Sequence, residues 1–265
     1  MPRTQDGHLP PVQRHGLGIR RYETLDTARG CALLSMLLYH AAWDLVYMFG
    51  VNWPWYRGFA AHVWQQSICW TFILLSGYCW SLGRHRLRRG LTVFLSGALV
   101  TAVTWALLPE NLVFCGVLTL LGASSLLLIP LAPALERLPP RAGLAGSFLL
   151  FLVTRDVNAG FLGFEGLRLA ALPPGLYRDH LTALLGFPPA GFFSTDYFSL
   201  LPWFFLFLTG YYLFRLRPQE DPREGRRVPL VTAMGRHSLL IYLLHQPVIY
   251  ALLTAGHFLL TGATV

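Results

Sequence analysis

Seven apolar stretches alternate along the chain with short polar connections, at 28–49, 66–83, 91–109, 113–133, 141–160, 197–216 and 237–258. A helix that crosses a bilayer needs about 20 mostly apolar residues, and these stretches have that length. The fifth is the least regular: its clean run extends from Ala142 to Thr154, and Arg155 and Asp156 follow at once. The pattern predicts an all-α polytopic transmembrane helix bundle of about seven spans. It divides the chain into an N-terminal segment at 1–27, a transmembrane domain at 28–258 and a C-terminal tail at 259–265. The longest connection, 161–196, carries Pro173-Pro174, Pro188-Pro189 and several Gly, yet it stays apolar. A loop of that length and character is expected to fold down onto the bundle. No internal repeat suggests an inverted-repeat transporter.

Charge orients the bundle. Every one of the 21 basic residues is Arg, and the net charge is +8. With the N-terminus in the cytosol, 17 of the 21 fall in the N-terminal segment or on cytosolic connections. Only Arg57, Arg155, Arg168 and Arg178 fall outside. Such a bias is the positive-inside pattern. Removing the fifth span would carry the Arg-rich connection at 215–236 outside, so the same bias supports that span. The expected topology has a cytosolic N-terminus and an outer C-terminus, in the cell (plasma) membrane. Residues 1–28 lack an apolar h-region, so the first span reads as an uncleaved anchor.

Composition narrows the function. Apolar residues make up 54% of the chain and charged residues 13%, with mean hydropathy +0.47. That excludes a disordered chain, a coiled coil and a disulfide scaffold, and it argues against a soluble globular enzyme, which needs roughly twice that charge share. The Arg residues punctuate apolar stretches rather than forming a basic domain, so no nucleic-acid partner is expected. Cys31, Cys69, Cys79 and Cys115 lie within apolar stretches and form no C-x-x-C pair, so neither a metal site nor a disulfide framework is expected.

The first span carries the chemistry. Arg29 and His40 are eleven residues apart, about three full helical turns, so they share a face, about 16 Å apart along the axis. Asp44 lies one turn beyond His40, and Asp26 and Tyr47 fall near the same stripe. With Arg29 at the cytosolic headgroups, His40 reaches the middle of a core about 30 Å thick. Ionisable residues at that depth are costly and are expected to face a protein-lined cavity. A carboxylate on one imidazole nitrogen would leave the other as a base, which makes His40 and Asp44 the candidate catalytic residues. The plainer alternative is a structural pair joining two helices.

Further stretches carry a resemblance. The L-D-x-x-R-G start, with His following Arg at that spacing, resembles the first helix of the acyltransferase-3 superfamily. The run Thr71-Phe72-Ile73-Leu74-Leu75-Ser76-Gly77 is similar to the end of that group's second span. The stretches Phe192–Phe204 and Gly235–Pro247 resemble small bacterial relatives of the heparan-α-glucosaminide N-acetyltransferase catalytic domain. The resemblance covers about 20 to 260 and makes 28–258 an acyltransferase-like domain. It implies an enzyme that moves an acetyl or short acyl group. The donor would be cytosolic acetyl-CoA, and the acceptor a hydroxyl or amine, often on a sugar or glycoconjugate. His40 matches the group's motif His and Arg29 its motif Arg. In the heparan enzyme the catalytic His follows the first span, and His62 stands nearest that place here.

Other residues complete the candidate set. Arg84 and Arg86, within the run 84–89, would grip CoA phosphates with Arg29, since guanidinium forks suit phosphate; alternatively the run is a topology signal. Gln66 at the start of the second span is a candidate substrate contact or a helix-start residue. Asp196 and Tyr197 would meet the acceptor, or Asp196 is a helix N-terminal carboxylate. His245 and Gln246 would line the cavity of His40; alternatively His245 is a core His bonded to a carbonyl loosened by Pro247. Trp53, Trp55, Tyr56, Trp64 and Trp70 read as an interfacial aromatic belt more readily than as a sugar platform. Membrane lipids are implied partners, and a homo-oligomer is compatible with the sequence. Two other readings use the same residues: a proton-coupled transporter or permease with a His/Asp relay, and a structural subunit with polar helix contacts.

Overall fold

The computed structural model describes residues 22–217 and 228–261. Most of the N-terminal segment, part of the Arg-rich connection and the end of the tail therefore lie outside the described residues. The elements run α1 (Glu23–Tyr47), α2 (Phe59–Trp80), α3 (Arg86–Leu107), α4 (Val117–Leu135), α5 (Pro140–Val153), β1 (Phe161–Phe164), β2 (Leu167–Ala171), α6 (His180–Leu185), α7 (Leu200–Leu216), α8 (Pro229–Arg236) and α9 (Ser238–Thr261). Each of the seven apolar stretches coincides with a helix, and the only sheet among the described residues is the β1–β2 hairpin. The expected all-α membrane architecture is the one observed. By length and apolarity, four described helices are long enough to cross a bilayer: Glu23–Tyr47, Arg86–Leu107, Val117–Leu135 and Ser238–Leu260.

The bundle is organised around α7. A helix that is apolar on all sides belongs in the centre, and Trp203, Leu206, Phe207, Leu208, Tyr211 and Tyr212 are all buried. They pack with Ile73 and Trp80 of α2, Leu120 and Leu128 of α4 and Phe151 of α5. Two polar contacts inside this core are made within the protein, as a water-free environment favours, while Ser124 Oγ of α4 is buried without a partner among the described residues. Ser147 and Thr209 share a hydrogen bond of 3.1 Å, and the Trp80 indole donates to the Ser125 carbonyl at 2.9 Å.

Glycines set the closest helix crossings. A Cβ at Gly77 of α2 would collide with the Phe207 carbonyl of α7, and one at Gly210 of α7 with the Leu74 carbonyl of α2. The same reciprocity joins α1 to α8: Gly30 faces the Val231 carbonyl and Gly235 the Asp26 carbonyl. Small residues let backbones approach where lipid supplies no hydrophobic drive for association. Beside that second crossing the hydroxyls of Thr27 and Thr232 lie 2.7 Å apart.

The outer helices present apolar stripes. On α3, Leu87, Leu91, Leu95, Leu99, Val103 and Leu107 recur every four residues and are all exposed. Leu240, Leu244, Val248 and Leu252 do the same on α9. Continuous stripes of this kind are unusual on a soluble monomer and fit a hydrocarbon surround.

One region departs from the sequence expectation, and the long connection follows it. The fifth helix stops at Val153, because Thr154 and the residues after it turn into β1 instead of continuing to 160. The connection 161–196 is structured, with the hairpin and then α6, and Phe161 and Ala183 are buried. Asp179 caps α6, accepting from Leu181 and Thr182 at 2.9 Å each, while Thr182 reaches back to the Asp179 N–H at 3.1 Å.

Candidate active site

α1 and α9 bring four of the candidate residues together. Asp44 is fully buried, and its Oδ1 accepts from Gln246 Nε2 at 2.7 Å. The rings of His40 and His245 meet edge to face, with centroids 4.7 Å apart and planes at 63°. The helical spacing that sets His40 and Asp44 on one face of α1 holds, but their polar partners are not each other. Asp44 pairs with Gln246 and His40 packs on His245, so α9 supplies a partner to both. His245 Nδ1 bonds the Tyr242 carbonyl one turn earlier on α9. That carbonyl, not the Leu243 carbonyl expected from Pro247, takes the ring.

Tyr242 extends the network. Its hydroxyl donates to Asp196 Oδ2 at 3.4 Å, and the same oxygen accepts the Val117 N–H at 3.1 Å. Asp196 thus sits at the N-terminus of α4, where a carboxylate is favoured by the helix dipole, and not at the start of α7 as the sequence alternative had it. Burial pushes its carboxyl above the usual range, while the bonds from Val117 and Tyr242 pull it back. Tyr242 escaped the sequence reading although it lies three residues before His245 on one helical face, which was the available signal.

Several buried polar atoms here lack a partner among the described residues: Asp44 Oδ2, His245 Nε2 and Gln246 Oε1. More than nine in ten buried polar groups in folded proteins are paired. These three unpaired atoms fall in one contact between two helices.

The remaining candidates lie apart from this cluster. Gln66 Oε1 accepts from Trp70 Nε1 and from Arg155 Nη2, each at 3.2 Å. Arg155 also reaches Glu165 Oε1 at 3.2 Å and stacks 4.9 Å over the Trp203 ring. His62 Nε2 meets the other oxygen of Glu165 at 3.1 Å, so His62 belongs to this second group and not to the His40 cluster. His62 and Glu165 are both exposed, and an exposed pair is worth little. Accordingly Glu165→Gln is expected to shift thermal unfolding by less than about 1 kcal/mol. Differential scanning fluorimetry would measure it. Tyr197 donates to the Ala183 carbonyl at 2.5 Å and thereby ties the chain ahead of α7 to α6.

Arg29 is engaged at the other end of α1. It donates to Asp26 at 2.9 Å, to Cys79 Sγ at 3.2 Å and to the Gly235 carbonyl at 3.4 Å. Arg236 of α8 bonds Glu23 at 3.1 Å and reaches Asp26 at 3.6 Å. The L-D-x-x-R-G start therefore clasps α8 against α1. Arg84 and Arg86 are exposed at the start of α3, with the Arg86 guanidinium 4.1 Å over the Trp80 ring. Among the described residues, no group of three or more His, Cys, Asp or Glu is arranged to hold a metal ion.

No curated protein and no solved structure matches the chain. The family model described as Heparan-alpha-glucosaminide N-acetyltransferase, catalytic, matches residues 21–247. The matched region begins just ahead of α1 and ends just past His245 and Gln246, so it takes in the whole His40 cluster. Apolar helices of spanning length and this match over most of the chain agree: the protein belongs to the heparan-alpha-glucosaminide N-acetyltransferase catalytic family, a family of membrane acetyltransferases.

Proposed function

We propose that this protein transfers an acetyl group from cytosolic acetyl-CoA to a hydroxyl or amine, on a sugar or glycoconjugate reached from the far side of the cell membrane. The observation that carries the reading is the cluster of His40, Asp44, His245 and Gln246 with its three unpaired polar atoms, inside a bundle of acetyltransferase ancestry. His40 stands on α1 about two turns before its C-terminal end, as the imidazole that activates the acceptor or carries the acetyl group in transit. Either role makes a poor nucleophile or a stable thioester reactive. The folded connection 161–196 would shield the reaction from water.

The donor side has a fitting chemistry. Arg84 and Arg86 flank the N-terminus of α3, where guanidinium groups and free helix N–H groups both favour phosphate. Arg29 lies at the same end of the bundle in the topology with a cytosolic N-terminus, about seven spans and an outer C-terminus. Spans α5 and α7 are short; α7 is buried on most sides, whereas α5 turns Phe148, Leu149 and Leu150 outward.

A thermal-shift titration in lipid nanodiscs tests the donor without knowledge of the acceptor. Acetyl-CoA and free CoA at a hundredfold excess over Kd are expected to stabilise the protein by about 2.7 kcal/mol. ATP is the control and should give no comparable shift. No shift with either CoA ligand at millimolar concentration would sink the acetyltransferase reading and favour a proton-coupled permease, to be tested by flux.

A further inference from the structure

We infer that the contact between α1 and α9 is the acceptor subsite, that it takes a donor-rich polyol or amine, and that His245 Nε2 receives the acceptor's proton. The inference rests on the acetyltransferase reading and assigns one of its two substrates to a place.

The tautomer follows from the hydrogen bond. A backbone carbonyl only accepts, so the bond between His245 Nδ1 and the Tyr242 carbonyl requires hydrogen on Nδ1. In a neutral imidazole the other nitrogen is then bare. Nε2 is that nitrogen, and it is buried without a partner. This is the arrangement of a general base: one nitrogen anchored, the other presenting a lone pair.

The two other unpaired atoms have the same sense. Gln246 gives its amide hydrogen to Asp44 Oδ1, which leaves Gln246 Oε1 as an acceptor. Asp44 Oδ2 is an acceptor as well. All three therefore call for hydrogens. An acetyl thioester offers none, because its carbonyl and sulfur only accept. A sugar hydroxyl or an amine offers one or more. The unpaired atoms thus point to the acceptor and not to the acetyl group, and His40, edge-on to His245, is left for the acetyl side.

The step balances. The acceptor O–H or N–H bond breaks and its proton passes to His245 Nε2. The acceptor's freed electron pair forms a bond to the acetyl carbonyl carbon. The carbon–sulfur bond breaks, its electron pair leaves on sulfur, and the proton on Nε2 then passes to that sulfur to give the CoA thiol. The Nδ1 hydrogen stays on Nδ1 throughout, donated to the Tyr242 carbonyl. The titratable groups nearest this imidazole are His40 from α1 and Tyr242 on its own helix, with Asp44 one turn beyond His40 on α1 and Asp196 bonded to the Tyr242 hydroxyl.

His245→Asn is the discriminating variant, since its amide N–H can keep the bond to the Tyr242 carbonyl while no base remains. The assay is CoA release from acetyl-CoA in nanodiscs, followed by a thiol reagent, with glucosamine as the acceptor probe. The expected loss in kcat is on the order of 100-fold or more, with the KM for acetyl-CoA little changed and the acidic limb of the pH profile gone. A variant with the kcat and acidic limb of the unaltered protein overturns the assignment. A second readout needs no turnover: nitrogen NMR of the 15N-histidine-labelled protein, with the His245 signals assigned by their absence in the variant. Hydrogen on Nδ1 and a bare Nε2 support the inference, and hydrogen on Nε2 overturns it. Failure of the acetyltransferase reading looks different: an unaltered protein that neither releases CoA nor shifts with acetyl-CoA.

Discussion

Gly77→Leu and Gly210→Leu are each expected to prevent recovery of a folded protein from detergent, with loss of the monodisperse peak in size-exclusion chromatography. The two residues face each other across the crossing of α2 and α7. A Cβ at Gly77 would stand 2.9 Å from the Phe207 carbonyl carbon and closer still to its oxygen, and a Cβ at Gly210 would stand 2.9 Å from the Leu74 carbonyl carbon. Carbon atoms in comfortable contact sit about 3.5–4.0 Å apart. A side-chain tip could swing away, but a backbone carbonyl in mid-helix carries its helix with it. Overpacking a core costs about 1–3 kcal/mol where side chains can yield, and backbone against backbone belongs at or above that upper end. The displaced helix is α7, which every layer of the main core touches, so the damage spreads to Ile73, Phe151 and Leu128. Gly146 of α5 offers the control, because a Cβ there meets nothing within 4 Å and Gly146→Ala should fold normally. Its retention, beside loss at Gly77 and Gly210, would separate steric crowding from any general intolerance of glycine replacement in this bundle.

Those glycines mark the boundary of what the sequence makes legible. Apolar length alone located every long helix, because a lipid surround demands it of each helix independently. Partners were not legible in that way. Nothing in Leu-Ser-Gly at 75–77 says that α7 will cross there, since the pairing joins residues more than 120 positions apart. The short α8 was hidden for a different reason: its eight residues fall below any spanning length and follow an Arg-rich connection. The hairpin lay under two four- to five-residue apolar runs, too short to tell strand from loop, although the Glu165-Gly166 turn stood between them. At the site, one helix face could be read and its counterpart could not. Helical periodicity put His40 and Asp44 on a common stripe of α1. It could not show that Asp44 would find Gln246, 202 residues away, instead of the imidazole one turn back. The Asp–His pairing drawn from spacing is the simplest local solution, and the fold takes a tertiary one. Asp196 makes the same point, because its helix-terminal role was the right chemistry applied to α4 in place of α7.

His40→Ala is expected to fold, to bind acetyl-CoA with an affinity close to that of the unaltered protein, and to lose on the order of 10³ in kcat. Folding should survive because His40 is only partly buried and makes a ring contact, with no hydrogen bond that its removal would leave broken among the described residues. Binding should survive because the groups suited to phosphate lie at the start of α3, at the Arg29 end of the bundle, whereas His40 is eleven residues farther along α1. Asp44→Leu is the instructive contrast. It deletes the acceptor of the Gln246 amide in a buried setting, and an unpaired buried donor costs about 1–3 kcal/mol. That variant should lose both turnover and thermal stability, whereas Asp44→Asn retains an oxygen for Gln246 and should lose turnover while keeping most of the stability. Measured together by thermal unfolding and CoA release, the three variants separate chemistry from architecture. Full turnover in a folded His40→Ala protein would remove His40 from the mechanism and leave His245 as the imidazole of the site. Loss of stability in Asp44→Asn equal to that in Asp44→Leu would show that the charge of Asp44, and not its hydrogen bond, holds α9 to α1.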